Sequence, residues 1–387
     1  MDVVSIGPIK ADPARLAAEF RAARERLRGR ALGLVFLPHD VDAAPLLAAA
    51  SEALGERVIG ATTGGAAFTE RGWTTTEVVA GVLAGDDFDY AVEVATPLSR
   101  VEDLPLQRAC NALVTTARHH ADASPSLMVL GDGLAMGGGV LTETLARCTP
   151  AHWRIFGGTA GDGLTFERGA RVFVGGRVLD DAAVLVSMFT AEPLGVAVEH
   201  GWTAVESARE LVVTAIDGHI LRELDGEPAA EVYDAELRRL GLATEGEEPL
   251  VSTARHELGA ASRHGELLVR ATLDRTPDGG LVLAAAVPLG TAFRVVSTTP
   301  QDLIAAAGSV GIRCVSDFAP GRSVRGALVF DCAARLQHLG PDYPAQTRAF
   351  AAGRAFPIVG TTSYGEVAEF GGSLEGFHNA AAVMAAW

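Results

Sequence analysis

The stretch Ile358–Glu366, IVGTTSYGE, decides how this chain is read, because related stretches precede it twice. Residues Val58–Ala66 read VIGATTGGA, and residues Ile155–Gly163 read IFGGTAGDG. Aligned on the first glycine, Gly60, Gly157 and Gly360 coincide, as do Thr62, Thr159 and Thr362. The flanks match as well. Before each loop stands an apolar, β-prone run: Leu32–Leu37, Ser126–Gly133 and Gly326–Cys332. An alanine- or leucine-rich, helix-compatible segment follows each run, and a third apolar run closes each copy: Glu77–Gly85, Ala182–Phe189 and Asn379–Trp387. The repeat therefore predicts strand, helix, strand, loop, strand, three times over. Apolar strands with helices between them imply helix-covered sheets of mixed α/β (α+β) class.

Composition narrows the chemistry. The chain has 387 residues, a length that suggests two or three domains of ordinary size. Its formal charge of −16 and its 6% aromatic content argue against nucleic acid and anionic membrane surfaces as partners. No apolar run is long enough to span a bilayer, and no secretory signal is evident at the N-terminus. Cys110, Cys148, Cys314 and Cys332 lack metal or disulfide spacing, which fits a reducing cytoplasm. Lys10 is the only lysine, so mechanisms built on a positioned amine are disfavoured.

A segment between the second and third copies does not repeat. The alternation in VVTAIDGHILREL predicts a hairpin at Asp217-Gly218, and EPAAEVYDAELRRL predicts a helix. LLVRATLDRTPDGGLVLAAAVPLG predicts two strands around Pro-Asp-Gly-Gly, and QDLIAAAGSVG a helix. The polar run Ala243–Leu250 is the expected linker, giving domains 1–245 and 246–387.

VIGATTGGA, HGWTAV, ELDGEPAAEVY, VFDCAAR and TTSYGEV with a closing FHN, in that order, resemble the FIST family, with its FIST N-terminal and FIST C-terminal domains. The resemblance implies a cytoplasmic sensory module that binds a small ligand. Some members bind haem and respond to nitric oxide, and others are fused to signalling domains. No kinase, cyclase or F-box segment is evident here, so signalling by association with a protein partner is expected. The family's Cys-x-Gly-Arg reads Cys332-Ala333-Ala334-Arg335 in this chain, and Gln346 stands where a glutamate is expected.

The third copy is the expected ligand site, because Tyr364 and Glu366 add functional groups and Cys332 and Arg335 belong to the same unit. Thr361, Thr362, His378 and Asn379 complete the expected wall, with Thr62 and Thr159 as counterparts in the other copies. For those two, a tight turn whose hydroxyls bond the local backbone is the favoured account. Arg335 is expected to meet an anionic group and Glu366 a cationic one, which suits a zwitterion such as an amino acid. Haem ligation by His200 or His378 is one alternative, and His338 has less motif support. Nucleophilic catalysis by Cys332 is the other. The carboxylates Asp225, Glu227, Glu231 and Asp234 read as a charged helix start rather than a cation site.

Overall fold

The computed structural model describes residues 1–55, 57–99, 103–135, 138–167, 169–243, 255–261, 267–369 and 376–387. The expected linker at 243–250 therefore lies almost entirely outside the described residues.

Three units share one plan. Unit 1 runs as a lead strand Asp2–Ile9, a helix Pro13–Arg26, a first inner strand Arg30–Leu37, a helix Ala43–Leu54 and a second inner strand Val58–Thr62. A short hairpin, Ala67–Thr69 and Gly72–Thr74, and a return strand Val78–Gly85 complete it. Unit 2 repeats this with inner strands Ser124–Asp132 and Arg154–Ala160, hairpin Val172–Val174 and Arg177–Leu179, and return strand Ala183–Thr190. Unit 3 has inner strands Ala327–Cys332 and Ile358–Ser363, hairpin Glu366–Glu369 and Phe377–His378, and return strand Ala382–Ala386. The lead strand and its helix (Phe88–Ala95 with Leu104–Ala117 in unit 2, Gly195–Glu199 with Pro300–Arg313 in unit 3) enlarge the unit that the sequence suggests.

In each unit the inner strands pair in parallel, with Gly60 opposite Val35, Gly157 opposite Val129 and Gly360 opposite Val329. The loop glycines are thus equivalent in space as in sequence. Crowding by the adjacent backbone explains two of them. A Cβ on Gly60 would sit 1.8 Å from the Val35 carbonyl oxygen, and one on Gly157 would sit 2.0 Å from that of Val129.

The hairpins are exchanged in a cycle. The hairpin of unit 2 pairs with the second inner strand of unit 1, that of unit 3 with unit 2, and that of unit 1 with unit 3. The threonines lock this exchange. The Thr62 amide donates to the Arg171 carbonyl, Thr159 to Gly365 and Thr362 to Ala66, at 2.9, 2.9 and 2.8 Å. The hydroxyls reinforce it: Thr62 donates to Gly161, and Thr362 both donates to the carbonyl and accepts from the amide of Ala66. Four residues beyond each loop glycine, Gly64, Gly161 and Tyr364 donate to the Thr362, Thr62 and Thr159 carbonyls of the preceding unit.

Inner faces of the three sheets meet in one core, where Phe36 and Phe156 pack on Phe330 with centroids 6.4 and 6.5 Å away. Helices cover the outer faces through separate clusters, among them Leu16, Phe20 and Leu47 on unit 1. Both faces of the inner strands are buried, hence their continuous apolar sequence.

Residues 203–297 form an insert between the lead strand and helix of unit 3, built as a nine-stranded sheet with the helix Ala229–Leu240. Its hairpin turns at Gly218 with φ of 59°, and Thr272–Arg275 pairs with Leu281–Leu283 across the Pro-Asp-Gly-Gly turn. This sheet takes strands from both sides of residue 245, and the third unit's sheet takes the hairpin of unit 1. Residues 1–245 and 246–387 therefore do not form separate sheets.

Replacing Thr362 with valine keeps its shape and its amide bond to Ala66 but removes both hydroxyl bonds. A loss of about 2–4 kcal/mol is expected, since a buried polar group left unpaired costs about 1–3 kcal/mol. The urea unfolding midpoint, at unchanged slope, measures it.

Candidate functional site

Ligands of sheets with parallel strands gather at the carboxyl ends of those strands. At that end, positions His39, Gly133 and Ala333 are equivalent, each four residues beyond the paired valines. His39 fills its position: a Cβ on Gly163 would lie 2.7 Å from its Nδ1. Gly133 and Ala333 line a cavity instead. Between units 2 and 3, under the insert sheet, lies a cavity of about 510 Å³. Leu134, Leu164, Phe166, Leu273, Ala284 and Phe377 give it an apolar wall. Arg255, Glu257, Gln337, His338, Ser363 and Tyr364 bring polar groups.

Tyr364 occupies the point where the three loops converge. A Cβ on Gly161 would lie 2.5 Å from the Gly64 Cα and 2.7 Å from the Tyr364 ring, so two glycines make room for one tyrosine. Its hydroxyl donates to Asp162 and accepts the Leu164 amide at 2.7 Å. Burial, with the Asp162 hydrogen bond, pushes the phenol well above its ordinary range. Asp162 also holds the Thr165 hydroxyl and the Phe166 amide, and Phe166 stacks on Tyr364 at 5.1 Å. Leu164 and Phe166 have φ of 70° and 55°, a conformation that non-glycine residues adopt mainly where surrounding structure enforces it.

Cys332 reaches the cavity wall but is only 4% exposed. Burial and the nearby Glu366 push its thiol well above the ordinary range, which leaves it protonated and a poor nucleophile. Glu366 is buried behind Ser363, whose hydroxyl donates to it at 2.8 Å, and it also accepts the Ala381 amide. Burial raises its carboxyl far above the usual value.

Arg335 does not line the cavity. It is fully buried, ion-paired to Asp331 at 2.9 Å, and donates to Gln346 and to the carbonyls of His200 and Leu303. Gln346 donates in turn to Asp331 at 2.6 Å, as does Tyr343 at 2.9 Å. An amide at position 346 serves both partners at once, whereas a carboxylate only accepts. Even so, burial raises Asp331 to about 6. The expected contact between Arg335 and an anionic ligand group is thus replaced by an internal ion pair.

Of the other expected residues, Thr159 lines the cavity. Thr62, Thr361 and Thr362 are buried with their hydroxyls on backbone carbonyls. Asn379 is buried at 1% exposure and does not line the wall. Neither proposed haem ligand reaches the cavity: the His200 Nδ1 accepts the Trp202 amide, and His378 lies 3.2 Å from the Ala368 carbonyl through Nε2. Burial lowers His378 to about 4, with Arg270 and His200 adding repulsion. The histidine in the wall is His338, edge-on to Trp202. Among the described residues, no group of three or more His, Cys, Asp or Glu could hold a metal ion. None of their helices is long and apolar enough to cross a membrane.

Sequence reasoning missed Glu257. It is 2% exposed, it lines the cavity from the strand His256–Ala261, and its Oε2 accepts the Thr272 amide at 3.1 Å. Burial raises it to about 8. No motif marks it, since it stands in the insert, outside the repeat.

The FIST N domain profile matches residues 31–227, and the FIST C domain profile matches residues 229–369. The chain belongs to the FIST family. FIST domains are associated with sensory and signal-transduction roles. No curated protein matches the chain in sequence.

Two outcomes follow from these buried charges. Arg335→Met strands Asp331 without its cation and is expected to cost about 3–5 kcal/mol, while Asp331→Asn in the same chain recovers part of the loss. Thermal unfolding of the single and double variants checks this. Glu257 favours its acid form on folding, so its stabilisation is complete below about 4.5 and is lost as pH rises through about 8. Glu257→Gln is therefore expected to make the fall in melting temperature between pH 6 and pH 9 shallower.

Proposed function

We propose that this protein is a sensory protein that captures a small organic molecule in the cavity between units 2 and 3 and passes occupancy on by association with a protein partner. The observation that carries the reading is the cavity itself. Its volume lies within the roughly 300–1,000 Å³ of small-molecule sites, and its wall is apolar with a few inward polar groups. Three separate parts of the chain build that wall, so a bound molecule would brace the insert against the repeated units. The strained Leu164–Phe166 turn on the wall supports the same reading. A cytoplasmic setting is supported by the four cysteines, all free thiols.

An amino acid is one ligand of this kind. The oppositely charged residues that reach the wall are Arg255 and Glu257, in place of Arg335 and Glu366. Thr159, Cys332 and Tyr364 remain assigned to the site on their position at the wall, and Ser363 joins them.

Native mass spectrometry of freshly purified protein, followed by a melting-temperature screen of small metabolites, tests the proposal. Ligand binding is expected to raise the melting temperature of the wild type by several degrees, since a ligand at about 100 times its Kd adds about 2.7 kcal/mol. Ala334→Trp, which fills the cavity from the short helix Ala333–Leu339, is expected to abolish the shift. Equal shifts in both proteins would place the ligand elsewhere and defeat the reading.

A further inference from the structure

Glu257 is an unusual group to find in an apolar cavity. Its Oε2 is held by the Thr272 amide, and among the described residues its Oε1 has no hydrogen-bond partner. The residue is almost wholly buried, yet it belongs to the wall. Among the described residues no ion pair to Glu257 is seen, unlike Asp331 with Arg335 or Glu236 with Arg209 and Arg239. A buried carboxyl that lines a cavity, with a single hydrogen bond among the described residues, is complementary to a donor that arrives with the ligand. The apolar part of the wall specifies the body of that ligand: Leu134, Leu164, Phe166, Leu273 and Phe377 offer apolar and aromatic contact.

Resting on the cavity reading above, we propose that the site selects an organic cation, an alkyl- or arylamine with or without a carboxylate, and seats its ammonium group on Glu257. The Phe166–Tyr364 stack gives an aromatic face for the hydrocarbon part. Because burial keeps Glu257 protonated at neutral pH, seating the ammonium group releases close to one proton from the carboxyl. His256 precedes Glu257 on its own strand, Arg255 stands just before that strand, and Tyr233 faces Glu257 from the helix Ala229–Leu240. His338, Cys332 and Tyr364 share the wall from the repeated units. Of these, the three with shifted values, Tyr233, Cys332 and Tyr364, are all raised and stay neutral between pH 6 and pH 8.

Titration calorimetry with isopentylamine, phenethylamine, leucine and phenylalanine, set against 4-methylpentanoate and 3-phenylpropionate, tests the proposal. The four amine-bearing probes are expected to bind and the two acids not. Affinity for phenethylamine is expected to rise by up to about tenfold per pH unit between pH 6 and pH 8. At pH 7, heats in buffers of different protonation enthalpy should report close to one proton released. Glu257→Gln, checked for an unchanged melting temperature at pH 6, is expected to weaken amine binding roughly tenfold or more and to abolish the proton release. If the acids bind as well as the amines, or Glu257→Gln alters neither affinity nor proton release while Ala334→Trp still blocks binding, the amine assignment falls and the cavity reading stands. If no probe binds but a neutral compound from the screen does, and Ala334→Trp blocks it, the result is the same. If nothing binds at all, both fall.

Discussion

Three amide-to-carbonyl hydrogen bonds close a ring at the centre of the molecule: Gly64 to Thr362, Gly161 to Thr62 and Tyr364 to Thr159. Each joins one unit to the preceding one, and the exchanged hairpins extend the same linkage outward into the sheets. The positions of the inner strands, the shared core around Phe330 and the place of the cavity all follow from this ring. A threonine in each loop has its amide committed to the neighbouring unit, so its recurrence in the sequence records a contact between units.

The ring is equivalent in backbone and unequal in side chains, and the inequality makes the site. Two units contribute glycine to the centre and the third contributes Tyr364. One strand end carries His39, which fills its own crevice, while Gly133 and Ala333 line the cavity. The insert then roofs the gap between units 2 and 3, adding Arg255 and the buried carboxyl of Glu257 to the wall.

Much of the fold was legible because the physics that fixes it is local. Gly60 and Gly157 recur since a Cβ would strike a carbonyl of the adjacent strand, and Gly360 since it would strike the Phe68 ring. The inner strands are apolar throughout because both their faces are covered. What was not legible depends on distance. Nothing in IVGTTSYGE announces that Thr362 bonds Ala66, nearly three hundred residues earlier, or that VFV at Val172–Val174 completes the sheet of another unit. The site was half legible for the same reason. Cys332, Thr159 and Tyr364 stand at strand ends that the repeat locates, and all three reach the cavity. Arg335 looked like a ligand group because its partners, Asp331 four residues back and Gln346 eleven ahead, satisfy it only once the helix Tyr343–Ala349 is docked.

Exchanged hairpins also bear on how the polypeptide comes off the ribosome. Gly158 pairs with Glu366, so the sheet of unit 2 stays open at one edge until the chain has grown by some two hundred further residues. Unit 1 likewise waits for Val172–Val174. An exposed strand edge is a template for stray pairing with other chains. Native structure dominated by such long-range closures forms slowly. Synthesis of this protein thus carries an extended window in which two unfinished sheets must be shielded, and a single late event completes both the ring and the roofed pocket.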